Sequence, residues 1–232
     1  MILEVIATSV MDAKLAQEYG ANRIELISGI MEGGVTPSYG LIEQVLRAVN
    51  IPVHVMLRPH ANSFCYHSDD LAVMDRDLRM IRELGAAGVV MGMLKQDKQL
   101  DLAALERLLS EAGNLAVTFH RAFDELEDQV AGLYQLANYP SIRKVLTSGG
   151  KPNVLDAKQE ITKLVKASKG LPLEIMAGSG LSVEKLDDFI KQTGVKEVHM
   201  GTGVRMNNRA LEPIDPKKLQ AAAAIISHYK PI

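Results

Sequence analysis

Short β-rich runs alternate with helical patterns along the whole of this chain, and that alternation limits its possible folds more than any other feature. The strand candidates are LEVIA, RIELIS, VHVMLR, GVVMGML, AVTFHRA, KVLTSG, LEIMAG and EVHMG. After each comes a stretch whose apolar residues are spaced three and four apart, as at 69–85, 100–113 and 183–194. Several of these stretches stop at a glycine (Gly20, Gly85, Gly113, Gly170 and Gly194), the residue expected just past a helix C-terminus. Eight strand–helix units in 232 residues match a single (β/α)8 TIM-type barrel, one domain spanning 1–232. A doubly wound open sheet has the same local pattern, and the count of eight favours the barrel.

Composition narrows the function classes. The hydrophobic fraction of 47% and charged fraction of 23% are those of a globular protein with a substantial core. A formal charge of -2 leaves no basic stripe for phosphate backbones, so nucleic acid is not the expected partner. The single cysteine excludes an internal disulfide and any cysteine-rich metal cluster, and it fits a reducing compartment. The N-terminal run MILEVIATSV lacks a basic flank and contains Glu4, so it reads as a first strand rather than a leader. No segment is apolar for long enough to span a bilayer. A cytoplasmic protein with no membrane partner is the expectation.

Alternate residues of a barrel strand face the helices and the lumen. Asking each strand to bury its aliphatic side assigns Leu3, Val5, Ile24, Leu26, Val53, Val55, Leu57, Val117, Phe119, Leu173, Ile175, Val198 and Met200 to the helix side. The lumen then collects Glu4, Glu25, His54, Met56, Arg58, Thr118, His120, Glu174, Met176, Glu197 and His199. Glu4, Glu197 and His54 come early in their strands and fit a packing role. Glu25, Arg58, His120, Glu174 and His199 come late, toward the C-terminal face where barrel enzymes place their chemistry. Ionised groups gathered with little water must pair or shift their pKa, so this set predicts a polar pocket at the mouth.

Glycine-bearing turns follow three late strands: LTSGG (146–150), MAGSGLS (176–182) and MGTGV (200–204). Gly178, Ser179, Gly180, Gly201 and Thr202 are candidates for an anion cradle of backbone N–H groups. The same glycines also serve βα turns that bind nothing.

Ordered strings now accumulate: LEV at the start, ANRIELISG (21–29), EGGVTPSYG (32–40), Arg58–Pro59, VTFHRAFDE (117–125) and VLTSGG (145–150). Together they resemble the CutC family, long described as copper homeostasis proteins, over about Ile2 to Gly203. The resemblance implies a TIM-type barrel, a cytoplasmic location, a homo-oligomer and an association with copper. It also marks departures. Many members carry a cysteine late in each of the first two strands, where this chain has Ile6 and Ile27. Copper(I) prefers sulfur donors, and both thiols are replaced by hydrocarbon.

The loop RPHANSFCYHSDD (58–70) offers an alternative, because His60, Cys65 and His67 could hold copper(I) or zinc. Its plainer reading is a loop in which Ser68 or Asp69 starts the next helix. Met91 and Met93 share a strand face, and core packing explains them sufficiently. Resemblance and strand parity agree on Glu25, Arg58, His120 and Arg121 as the pocket residues.

Two functions follow. One is a copper-binding homeostasis protein. The other is a metal-independent enzyme acting on a small anionic or phosphorylated metabolite. There His120 serves as acid/base, Glu25 as its partner, Arg58 as anion clamp and the last two turns as the cradle. Whether the segment from Arg205 to Arg209 closes over the mouth is left open by sequence.

Overall fold

The computed structural model describes residues 1 to 229, so the last three positions of the single-domain expectation, 230–232, lie outside the described residues. Parallel strands β1 (Ile2–Ala7), β2 (Arg23–Leu26), β3 (Val53–Met56), β4 (Gly88–Met91), β5 (Ala116–Phe119), β6 (Ile142–Thr147), β7 (Glu174–Ala177) and β8 (Glu197–Met200) run in sequence order around a closed barrel. Helices α1 (Val10–Glu18), α2 (Tyr39–Ala48), α3 (Ser68–Glu83), α4 (Leu102–Ala112), α5 (Gln129–Leu136), α6 (Lys158–Ala167), α7 (Val183–Thr193) and α8 (Pro216–Ser227) cover its outside. This is the (β/α)8 barrel. No helix among the described residues is long and apolar enough to cross a membrane.

Strand parity sorts as burial requires. The helix-facing set, from Leu3 and Val5 to Val198 and Met200, lies in one continuous core between barrel and helices. Met91 and Met93 belong to it. A second, smaller apolar cluster of Ile27, Met56 and Val90, with Ile6 and Ile30 against it, sits inside the upper barrel.

Local chemistry sets the helix ends. The Ser38 hydroxyl accepts from the Leu41 amide at the start of α2, and Asp215 accepts from the Lys217 and Lys218 amides ahead of Pro216 in α8. Gly194 ends α7 at φ +70°, where a side chain would be strained. In the loop at 58–70 the helix starts earlier than expected: Ser68 is already helical, and His67 is the cap, its amide donating to Asp70 Oδ2 at 2.9 Å.

The strands stop sooner than the apolar runs suggest. Arg58 lies two residues beyond β3 and His120 one residue beyond β5. Both therefore stand on the rim of the barrel's C-terminal end.

Candidate active site

The lumen holds a ladder of buried charges. At its base Arg23 Nε donates to Glu4, and Arg23 Nη2 donates to Glu197 Oε2 at 2.5 Å and to Met176 Sδ at 3.2 Å. Glu4 Oε1 meets His199 Nδ1 at 2.8 Å, and His199 Nε2 lies 3.6 Å from Glu25 Oε2. Register explains the ladder, since Glu4 is level with Arg23 on β2 and with His199 on β8. All five charged side chains are buried.

Charge and burial set the protonation pattern. For Glu4, burial alone would raise the pKa, but Arg23 beside it and the His199 hydrogen bond hold it well below the usual carboxylate range. Burial also dominates at Glu25 and pushes it up to about 7, with Glu4 adding to the rise and His199 and Arg23 opposing it. Burial opposes the charged form of His199, yet Glu25 and Glu4 outweigh it and raise the imidazole pKa. Glu4 thus supplies the counter-charge, while His199 and Glu25 are poised to exchange a proton near neutrality.

Above this pair opens a cavity of about 360 Å³, within the range of small-molecule sites. Glu25, Arg58, His120, Arg121 and His199 line its polar side, and Ile6, Ile27, Met56 and Leu146 its apolar side. The structure therefore gathers the four pocket residues expected from sequence around one space. It joins to them His199, Glu4 and Arg23.

The roles of individual residues differ from expectation. His120 Nδ1 accepts the Ala122 amide at 3.1 Å. Burial, with Arg58 and Arg121 nearby, pushes its pKa down to about 3. It is a neutral imidazole and does not suit the acid/base role assigned to it. Glu25 partners His199 and not His120, because β8 brings His199 up the lumen beside it. Arg58 is buried, and its Nη1 donates to the carbonyls of Glu32 and Gly34 at 3.1 and 3.2 Å, its Nη2 to that of Ala61 at 3.3 Å. Its guanidinium also lies 4.6 Å from the Phe64 ring centre. Arg121 is neutralised by Asp124 at 2.8 Å and bonds Ser148 at 2.9 Å. Asp124 in turn accepts from Ser148 and Gly150, so part of the TFHRAFDE string staples the β5 loop to the LTSGG turn.

The cradle candidates divide. Ser179, Gly180, Gly201 and Thr202 line the cavity, whereas Gly178 is tucked beneath with its amide on the Thr147 carbonyl at 3.0 Å. The Ser179 hydroxyl donates to Pro152 O at 2.8 Å. A Cβ at Gly203 would meet the Leu181 carbonyl oxygen at 2.0 Å, so close approach of the two turns requires that glycine. The amides of Ser179, Gly180 and Leu181 find no acceptor among the described residues.

Two further expectations are corrected. Glu174 is the first residue of β7, at the end of the barrel away from the mouth, and pairs with Lys196 at 2.9 Å because the strand begins later than its apolar run. Glu4 is not a separate packing residue but the counter-charge under His199. As to metals, His60, Cys65 and His67 do not converge. His60 leans on Asp70 at 3.4 Å, the His67 backbone amide caps α3, and the three ligand atoms do not lie within 4.8 Å of one another. The one His, Cys, Asp or Glu group among the described residues whose ligand atoms all lie within 4.8 Å is Glu4, Glu25 and His199. Glu4 there is already engaged by Arg23 and His199, which leaves two open oxygen and nitrogen donors and no thiolate. Arg205 closes nothing: buried, it ties Asp12, the Ile6 carbonyl and the Glu212 carbonyl together.

Known proteins place this architecture. The CutC family matches over residues 1–204. The family protein CutC of Yersinia pestis strain Pestoides F is 42% identical over 201 residues, 87% of this chain and 78% of the relative. Its counterpart from Klebsiella pneumoniae is 41% identical over 202 residues, 87% and 80% of the two chains. The crystal structure of CutC from Streptococcus agalactiae, a protein named for copper homeostasis, superposes with a TM-score of 0.80 at 30% identity, covering 86% of this chain and 97% of that one. Phosphoribosylanthranilate isomerase from Pyrococcus furiosus, at 12% identity and a TM-score of 0.64, shares the barrel alone. By sequence across most of its length and by fold, the chain belongs to the CutC family.

Proposed function

We propose that the barrel mouth binds a small phosphate-bearing metabolite and performs proton transfer on it. The observation that carries this reading is Arg58. It is a buried cation that donates to three carbonyls with Tyr66 beside it, its Nε–H unpaired and no carboxylate in ion-pair distance among the described residues. A buried charge without a counter-charge is costly unless a ligand supplies one. The amides of Ser179, Gly180 and Leu181, without acceptors of their own, offer donors for the same anion. Below it, Glu25 and His199 hold an exchangeable proton near neutral pH, as a general acid or base needs.

The name carried by the Streptococcus agalactiae neighbour raises copper as an alternative cargo. The donors speak against copper(I), since the cavity lining offers one sulfur, at Met56, among carboxylate and imidazole groups. Ile6 and Ile27 face the cavity as hydrocarbon, and Cys65 is not among its lining residues.

The test is a titration with inorganic phosphate, followed by 31P NMR and calorimetry, on wild type, Arg58→Lys and Arg58→Gln. Wild type is expected to bind, the lysine variant to keep part of the affinity, and the glutamine variant to lose on the order of tenfold or more. Circular dichroism checks that each variant is folded. Equal binding by wild type and the glutamine variant refutes the reading.

A further inference from the structure

Resting on the anion reading above, we infer that the reaction at the mouth is proton abstraction from a carbon next to a carbonyl. Glu25 is the base, His120 Nε2–H the donor to the carbonyl oxygen, and a phosphorylated hydroxy- or oxo-compound the substrate. Geometry carries the inference. The Ala122 amide donates to His120 Nδ1, so the ring's own proton must be on Nε2. Protonating Nδ1 as well would set two N–H groups against each other, which fixes the ring as a neutral donor. His120 Nε2 is buried, lines the cavity through its residue and has no partner. Buried polar groups are rarely left so, and those at active sites are reserved for a ligand. Glu25 Oε1 and Arg58 Nε are the other buried, unpartnered side-chain atoms of the polar wall, and of these only the carboxylate oxygen can accept a proton. A neutral imidazole paired with a carboxylate of raised pKa is the pairing used where an enolate is made at neutral pH.

Gly92 confirms that the ring position is built into the fold. A Cβ there would meet His120 Nδ1 at 2.5 Å and Cε1 at 2.7 Å, so the residue just past β4 gives up a side chain to admit the imidazole. Phe64 covers it at 4.8 Å between ring centres. Ile6, Ile27, Met56 and Leu146 exclude water from the developing oxyanion.

The step balances without an outside oxidant. The carboxylate of Glu25 takes the proton, the C–H electron pair becomes the new C=C bond, and the carbonyl π pair moves to oxygen under His120 Nε2–H. Returning the proton to the same face of the same carbon regenerates the substrate, with its hydrogen exchanged for one from solvent. Returning it to the neighbouring carbon, while the hydroxyl proton passes to the former carbonyl oxygen, moves the carbonyl along the chain. His199 and Glu4 bear on the base alone, so they are positioning residues.

Two measurements test this. The first is 15N NMR of the histidine rings from pH 5 to 8, with His120→Gln for assignment. His120 should show an unchanging Nε2–H tautomer, and a charged or Nδ1-protonated ring overturns the inference. The second compares 2-phosphoglycolohydroxamate, a planar mimic of an enediolate, with 2-phosphoglycolate. Wild type should favour the hydroxamate by on the order of tenfold or more. That preference should vanish in His120→Ala and in Gly92→Ala and partly return in His120→Gln, which keeps a donor. Equal affinities in wild type, or a preference surviving in His120→Ala, overturn this inference while leaving the anion site standing. Failure of both probes to bind a protein with the expected tautomer overturns the anion site and this inference together.

Discussion

Replacing Glu25 by glutamine should make the protein more stable at high pH while leaving it nearly unchanged at low pH. Burial raises this carboxyl from 4.5 to about 7, so the native state binds its proton more tightly than the unfolded chain does. The contribution of a group shifted upward is fully present below its unfolded value and is lost as pH rises through its folded value. Each pH unit across that interval costs about 1.4 kcal/mol. From 4.5 to about 7 the loss is on the order of 3 kcal/mol, complete by pH 8. Glutamine has the shape of the protonated acid and does not ionise, so it escapes this loss. His199 keeps its counter-charge from Glu4 in both proteins. Urea denaturation of wild type and Glu25→Gln at pH 5, 6, 7 and 8 measures the difference directly. The two should agree at pH 5 and diverge steadily, the variant ending more stable. Stability curves that run parallel across this range would refute the claim that Glu25 is a buried acid of raised pKa. The same variant should lose any proton-transfer activity, so stability and function are expected to move in opposite directions.

Arg23→Met leaves Glu4 and Glu197 buried without their cation, and about 3–5 kcal/mol should be lost in a urea midpoint measurement at pH 7. Adding Glu4→Gln should restore part of that loss, because one of the two stranded charges is removed. Cys65→Ser should leave a copper(I) titration against a competing chelator unchanged, since among the described residues the ligand atoms of His60, Cys65 and His67 do not gather within 4.8 Å of one another. Loss of stoichiometric copper(I) binding in that variant would return the loop at 58–70 to consideration as a metal site.

Much of this protein was legible in one dimension. The barrel follows from eight repeats of two local periodicities, and the side each strand residue faces follows from burying aliphatic groups. That rule alone placed Glu25, Arg58, His120 and His199 in the lumen, because a strand's period of two leaves no third direction. It could not assign partners. His199 and Glu4 are 195 residues apart in sequence, and Arg23 and Glu197 are 174 apart. They meet because the first and last strands close the barrel with a particular register, which no local pattern reports. Arg23 was overlooked as the opening residue of a strand, though it shares the parity of Glu25. Strand ends were overestimated as well, since an apolar run continues past the last ladder bond. Glu174 is misplaced for a different reason: β7 begins later than its apolar run, so this residue opens the strand at the end away from the mouth.

The sequence by itself therefore determined the architecture, the buried faces and the set of polar residues available to the site. Tertiary structure decided which of them touch, and with that their chemistry. One amide from Ala122 turns His120 from a candidate acid/base into a fixed neutral donor. One imidazole arriving from the last strand gives Glu25 its proton-sharing partner. The physical reason is range: backbone periodicity acts over a few residues, whereas the desolvation and Coulomb interactions that set a protonation state depend on every neighbour across the lumen.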